Sequence, residues 1–413
     1  MTSMKRQVIV IGGGASGMMA AITAVKNGAK VTILERNPRI GKKILATGNG
    51  RCNFTNVNAD IACYEGQNPR FAFSALAGFS VQETLAFFER LGIVPKVEEL
   101  GKVFPMSDQA SSVLDVLRYE LMETEVNIVC EAYVRSISKK NNTFRIKLED
   151  DTEFLSDSVI LAAGGKAMPS TGSDGNAYEL ATKLGHTITD IFPALVQLKL
   201  EGTFFKQIEG VKFVGTAEIL NNNKTIVQDS GDILFANYGV SGPPILQISR
   251  KTGELLQGNK NVVLRLNILD KLTKEELRKL LITRFNNSPH KSLDFSLVGL
   301  INKRLIPVLL KEAGLTDLKC PVASVSPEER ENILSILQDW RFQVRGTKSW
   351  PSAQVTAGGI ATNEINPSTM ESKIVKGLFF AGEIIDIDGL CGGFNLQWAW
   401  SSGYIAGKNA ALN

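Results

Sequence analysis

The sequence predicts an α/β protein in which a doubly wound parallel sheet, completed from both ends of the chain, is interrupted by a small β domain that carries a helical insertion. Three observations predict it. A β-branched run, Gln7 to Ile11, meets Gly12-Gly13-Gly14-Ala15-Ser16-Gly17 and then a helical stretch, Met18 to Asn27. From about Asp190 the texture changes to short alternating runs set apart by turn residues. Three separately initiated helical runs then break that alternation before strand and glycine return after Ser352. With 413 residues, 44% of them hydrophobic and 21% charged, the chain has room for two or three domains that each bury a core. The expected division is a sheet domain at 1–189 and 353–413, a β domain at 190–270 and 338–352, and a helical insertion at 271–337.

Each element has its own local reason. Gly28 stops the first helix, and Ala29 to Leu34 reads as a second strand ending in Glu35, which makes a β-α-β unit. Ser80 and Glu83 form a capping box for a helix from Val81 to Leu91, and another helix runs from about Gln109 to Glu123. Val126 to Ile137, Thr143 to Leu148 and Glu153 to Leu155 alternate as a meander. They lead to a buried strand, Ser158 to Ala163, ended by Gly164 and Gly165.

The β domain follows as Leu195 to Leu200, Gly210 to Leu220, Lys224 to Gln228 and Val262 to Leu266, with one helix after Ser241-Gly242-Pro243. Of the insertion's helices, one is capped by Thr273 and Glu276 and one runs from Leu293 to Ala313. The third starts at Ser326-Pro327 with Glu329, proline taking the first helical position. Trp340 to Val344, Gln354 to Ile360 and Gly377 to Ala381 return to strand, and a last helix spans Leu396 to Ala411.

Composition excludes several classes. The balance of 46 Lys and Arg against 42 Asp and Glu is +4, dispersed along the chain, so no nucleic-acid partner is implied. No apolar run approaches the roughly 18 residues of a membrane span. The start, Met1 to Arg6, leads into only four apolar residues, Val8 to Ile11, so neither a signal peptide nor an anchor is expected and the location reads as cytoplasmic. Cys52, Cys63, Cys130, Cys320 and Cys391 stand far apart, which suits reduced thiols and no thiolate metal site. The two histidines, His186 and His290, are isolated, and His186, just past a helix-ending Gly185, reads as a packing residue. No metal is expected.

The glycine clusters carry the chemistry. Gly12, Gly14 and Gly17 follow a strand and open a helix, and Glu35 lies 18 residues beyond Gly17, close to the spacing of about 20 in a Rossmann-like dinucleotide site. Gly12 permits the tight turn, Gly14 lets a pyrophosphate approach the backbone, and Gly17 lets helix and strand pack closely. The helix N-terminus, with the N–H groups of Ala15 and Ser16, offers free donors and a positive dipole end. Glu35 would accept from ribose hydroxyls.

A basic, glycine-rich loop follows, with Arg36, Lys42, Lys43, Gly50, Arg51 and Asn53. A nicotinamide dehydrogenase has little use for it, whereas the longer ribityl and isoalloxazine of FAD need small residues and donors past the pyrophosphate. Ala163 with Gly164, and Gly382 with Glu383, end two more strands toward the same ligand. Gly393, Phe394, Asn395 and Leu396 open the last helix, whose positive end would face the pyrimidine edge of the flavin. Trp398 and Trp400 read as core.

Taken together, Thr47 to Asn56 (TGNGRCNFTN), Gly101 to Pro105, Gly231 to Ser249, Val355 to Ile360 and Gly377 to Gly407 resemble the YhiN/BaiN-type flavoproteins over nearly the whole chain. The resemblance implies FAD and a glutathione-reductase-type domain interrupted by a β-barrel-like and a helical domain. It also implies oxidoreductase activity, some members being similar to aminoacetone oxidases and others to bile-acid-pathway reductases. By motif match, Ser16, Glu35, Arg36, Lys42, Gly50, Arg51, Glu383 and Asn395 would contact FAD, with Val134 reaching adenine through its backbone. One position departs from the pattern: Ala236-Asn237 stand where many members carry Thr-His, so a proton-moving imidazole is missing and no catalytic residue is assigned.

The activity expected first is hydride transfer from a small substrate, such as an aminoketone, to flavin N5, with reoxidation by O2. The alternatives are NAD(P)H-dependent reduction of an unsaturated substrate, through transient nicotinamide binding, and a flavin-carrying RNA-modification or scaffold protein.

Overall fold

The computed structural model describes residues 5–412; the first four residues, on which the expectation about a leader partly rests, lie outside the described residues. The chain divides into two compact units, Pro193–Ser352 forming one and the remainder the other.

In the larger unit β1 (Gln7–Ile11), β2 (Lys30–Leu34), β3 (Asn127–Val129), β4 (Ser158–Leu161) and β5 (Leu378–Phe380) form one parallel sheet in the order β5-β4-β1-β2-β3. Its central strands are continuous apolar runs, Val8 to Ile11 and Val159 to Leu161, buried throughout. Strands covered on both faces need that composition. Between β1 and β2 lies helix α1 (Ala15–Lys26), and the last helix, α2 (Phe394–Leu412), packs along it. The two backbones approach so closely that a Cβ at Gly403 or Gly407 would run into the Ser16 or Ala20 carbonyl oxygen. Trp398 and Trp400 on α2 are buried, and Trp400 packs edge-on against Phe88 at 5.2 Å between ring centroids.

The fold departs from the expected elements in four places. First, α1 starts at Ala15, three residues before Met18, because Gly14 is an extended N-cap (φ −79°, ψ −170°) and the helix begins inside the glycine motif. Second, the run expected as one strand from Val126 to Ile137 is two. Asn127–Val129 closes the parallel sheet, Glu131 turns the chain with φ +57°, and Val134–Lys140 pairs antiparallel with Thr143–Leu148. Third, short helices at Ala72–Gly78 and Asn176–Lys183 carried no clear start signal. Fourth, the helix expected from Leu293 to Ala313 is broken into Leu293–Ser296 and Ile306–Glu312, with Gly299 at φ +83° between them.

A small antiparallel sheet of Thr55–Asn56, Lys102–Pro105 and Pro95–Val97 lies in the same unit.

The second unit is a closed six-stranded barrel of Leu198–Leu200, Gly239–Ser241, Lys224–Ala236, Lys212–Asn221, Val263–Asn267 and Trp340–Thr347. The second of its long strands continues eight residues past Gln228, through Asp229, Ser230 and Asp232, because pairing with Lys212–Asn221 outweighs their poor strand propensity. Helices Lys274–Asn287 and Pro327–Gln338 both carry full capping boxes. Their buried Leu277, Leu281, Ile333 and Leu337 share one core with Leu264, Leu266 and Trp340 of the barrel.

Candidate dinucleotide site

The turn after β1 is shaped by what cannot fit there. Gly12 has φ +102°, and a Cβ on it would sit 2.6 Å from the Ala162 carbonyl oxygen, so the end of β4 excludes any side chain. A Cβ at Gly17 would strike the Gly12 carbonyl, so the helix can lie this close only with glycine. Gly14 differs: its backbone is ordinary extended and no protein atom lies within 4 Å of the Cβ position. The first turn of α1 has no side-chain cap and no acidic residue. An uncapped helix start facing open space is the arrangement a pyrophosphate fits.

Glu35, buried at the end of β2, accepts from Gly13 N (2.8 Å) through one oxygen, and from Asn37 N (2.8 Å) and Asn37 Nδ2 (2.7 Å) through the other. The carboxylate therefore braces the glycine turn. Beyond it Glu35 O accepts from Ala132 N (2.8 Å), which brings the chain to Val134, buried at the head of its strand.

Three more segments reach the start of α1. Ser16 Oγ donates to Ala381 O (3.3 Å), Gly382 N donates to Ser402 Oγ (2.9 Å), and Trp398 Nε1 donates to Gly382 O (3.1 Å). Ala162 at the end of β4, just before Ala163 and Gly164, abuts Gly12.

The cations of the basic loop each meet protein acceptors. Arg36 is paired with Asp174 and lies over the Tyr133 ring at 4.8 Å. Lys42 Nζ donates to Ser170 O (2.6 Å), and Lys43 Nζ to Glu383 Oε2 (2.6 Å), while Glu383 Oε1 accepts from Thr356 N (2.8 Å). Arg51 lies 4.0 Å from the Phe104 ring centroid and bridges Glu98 and Asp108, each at 2.5 Å; these bonds raise its pKa further, while Lys96 with Arg51 holds the Asp108 carboxyl, and Arg51 with Lys96 the Glu98 carboxyl, below their ordinary values. Gly50 beside it is open. These residues act as struts that tie distant loops together around the site.

The last glycines are constrained by the protein itself. A Cβ at Gly393 (φ +99°) would meet the Thr55 carbonyl oxygen before any ligand, so glycine there is required by the protein itself. Helix α2 begins at Phe394, two residues before Leu396. The Asn395 side chain is engaged by the adjoining loop: its Oδ1 accepts from Gly389 N and its Nδ2 donates to Gly389 O, both at 2.8 Å.

Of five buried polar side-chain atoms without a partner among the described residues, two lie beside glycines of the site and were not singled out by sequence reasoning: Asn53 Oδ1, 2.7 Å from the Gly393 Cβ position, and the Tyr178 hydroxyl, 3.0 Å from that of Gly165. Burial, with Glu383 and Asp386 nearby, pushes the Tyr178 pKa up. Such orphans on two walls of the site fit a ligand with exposed donors and acceptors. Asn53 was visible in the basic loop; nothing local marks Tyr178.

His186 is satisfied structurally, with Nδ1 3.2 Å from Glu364 Oε2, Nε2 2.8 Å from Ser372 Oγ, and its ring edge-on to Phe380. Burial lowers its pKa. Cys52 is buried and its thiol is pushed up to about 12, which leaves it unreactive. Among the described residues no group of His, Cys, Asp and Glu could hold a metal ion, and no single helix is long and apolar enough to cross a membrane.

The family model described as HI0933-like protein Rossmann domain matches residues 6–409. The chain is 40% identical over 404 residues to a 3-dehydro-bile acid delta(4,6)-reductase of Clostridium scindens, covering 97% of this chain and 98% of that protein. It is 31% identical over 404 residues to a ribosomal RNA dihydrouridine synthase of Escherichia coli, covering 97% of each. Among solved structures it is similar to the open conformation of a flavocytochrome c3 fumarate reductase, with TM-score 0.49, 17% identity, and 99% of this chain and 78% of that one covered. By a match that spans almost every residue, the chain belongs to the HI0933-like Rossmann-domain family, the YhiN/BaiN-type group its motifs resemble.

Proposed function

We propose that this chain is an FAD-dependent oxidoreductase that saturates a carbon–carbon double bond conjugated to a carbonyl, drawing its electrons from a transiently bound nicotinamide. The observation that carries the reading is full-length identity, at 40% and 31%, to two proteins whose names describe the same bond change. A delta(4,6)-reductase acting on a 3-dehydro compound and a dihydrouridine synthase both add two hydrogens across a C=C bond. The balance is one NAD(P)H and one proton consumed for one C=C reduced.

The residues divide the work of holding the cofactor. The first turn of α1, open at Gly14, takes the pyrophosphate; Glu35 takes ribose hydroxyls; Glu383, fixed by Lys43 and Thr356 N, stands toward the ribityl chain. Asn53 Oδ1 and the N–H groups that open α2 at Phe394 would hold the flavin ring. Bound FAD supplies hydride at N5. The positive end of α2 would favour negative charge on a flavin held there.

The substrate is an apolar carbonyl-conjugated alkene, the higher identity lying with the bile acid reductase. A second reading, a uracil base in RNA, is favoured by the 31% relative and by charge. Pro193–Ser352 carries 22 Lys and Arg against 16 Asp and Glu, a net +6 that the whole-chain balance of +4 conceals. The test is anaerobic. FAD-loaded protein reduced with NADPH is mixed with a 3-oxo-4,6-diene bile acid, with an unmodified ribosomal RNA transcript, or with aminoacetone after reoxidation. Flavin reoxidation by the bile acid supports the first reading, and by RNA the second. Bleaching by aminoacetone with peroxide formed in air would restore the oxidase and sink both.

A further inference from the structure

We infer that Leu100, at the tip of the hairpin between Pro95–Val97 and Lys102–Pro105, is a specificity-determining contact for the apolar body of the substrate. The inference rests on the reductase reading above. Leu100 has left-handed backbone, φ +58° and ψ 21°, and its side chain is 77% exposed. Both features are unfavourable for leucine: the left-handed region costs a Cβ-bearing residue about 1 kcal/mol or more, and a large apolar side chain gains nothing in water.

Leu195 and Met370 share the conformation, but both are buried and packing offsets the strain. Leu100 has no such compensation within the chain. Where strain persists without packing, the residue is a candidate for ligand contact. The same end of the hairpin also exposes Val57 (41%) and Val97 (56%).

What links this tip to the site is Asn56, 1% exposed. Its Nδ2 donates both to Leu100 O (3.1 Å) and to Gly392 O (2.8 Å), while its Oδ1 accepts from Asn58 N (2.9 Å). A single buried amide thus fixes the strained Leu100 to the glycine segment that opens α2. The exposed apolar tip is thereby held one side-chain amide away from the segment assigned to the flavin. Its occupant is the hydrophobic body of a polycyclic enone.

The test compares Leu100→Asn, which suits left-handed backbone but is polar, with Leu100→Met, which keeps apolar volume. The probes are a 3-oxo-4,6-diene bile acid and cyclohex-2-enone. Leu100→Asn should raise KM for the bile acid about tenfold, the loss of one partly buried leucine contact, with kcat within about twofold. Its FAD affinity and its rate with cyclohexenone should not change, Leu100→Met should behave as wild type, and the cofactor-free Leu100→Asn protein should melt no lower than wild type. Binding of the bile acid to the oxidised, FAD-loaded protein, followed by flavin absorbance, should weaken in parallel, and that readout does not depend on turnover. An unchanged bile acid affinity overturns the inference, as does weaker FAD binding, which would make Leu100 a cofactor contact. Wild-type protein that binds the bile acid yet reduces neither enone would sink the reductase reading while leaving the contact measurable.

Discussion

Gly14 and Gly393 look alike in the sequence, each a glycine just before a helix, and the structure separates them. At Gly14 the backbone is ordinary and the side-chain position is empty of protein, so Gly14→Ala should fold with an unchanged Tm and lose FAD affinity by about 30- to 100-fold, the loss of one charge-assisted bond. FAD titration of a well-folded variant checks this; undiminished affinity would remove the pyrophosphate from α1. At Gly393 a side chain meets Thr55 O, so Gly393→Val should fail first in stability, and a changed flavin potential in it would not report on the cofactor. Spacing alone identifies both positions but says nothing of what surrounds them. His186 was legible as a packing residue. Its pKa is lowered by burial beside Glu364, so the native state resists protonation and stability is present above the ordinary value of 6.5 and lost as pH falls below it. Tm should decline between about pH 7 and 5, and His186→Gln, with no charge to gain, should flatten that decline; an unaltered slope would show that other groups set it.

Elements read from local signals match the structure where the signal is itself local, as with the capping boxes at Ser80, Thr273 and Ser326. Reading fails where a remote partner decides. Alternation cannot show that Glu131 reverses the chain and sends Asn127–Val129 to the parallel sheet. That the cations of the basic loop also meet protein acceptors was not legible, because those acceptors lie far along the chain: Glu383 is 340 residues from Lys43, and Asp174 is 138 from Arg36. Helix α2 was read as core on its Trp pair, and the contacts explain why. Trp400 donates to Phe54 O (2.8 Å) and packs on Phe88, joining α2 to the loop that carries Asn53. Trp400→Ala should therefore cost about 3–5 kcal/mol, measured by urea unfolding of the FAD-loaded protein. The potential of the folded fraction should stay put; a shift would give Trp400 a place beside the flavin.

On the scale of the whole molecule, hydrophobic burial is split. The core around Val10, Leu161, Phe379 and Trp400 lies wholly in the sheet unit, and the core around Phe235, Leu264, Leu309 and Trp340 lies wholly within Pro193–Ser352. Each is closed by its own strands and helices, and the second unit, about 160 residues long, is of ordinary domain size. The boundary at Pro193 falls three residues past the change of texture near Asp190, where continuous apolar runs such as Val8 to Ile11 and Val159 to Leu161 give way to alternating buried and exposed positions, as along Lys212–Asn221. Every residue assigned to FAD lies in the first unit, so only that unit gains free energy from the cofactor. Calorimetry should therefore resolve two transitions, and FAD at about 100 times its Kd should stabilise one of them by about 2.7 kcal/mol while leaving the other in place. A single transition that moves as a whole would mean that the units unfold together; two transitions that both move would place part of the cofactor's binding energy in the barrel.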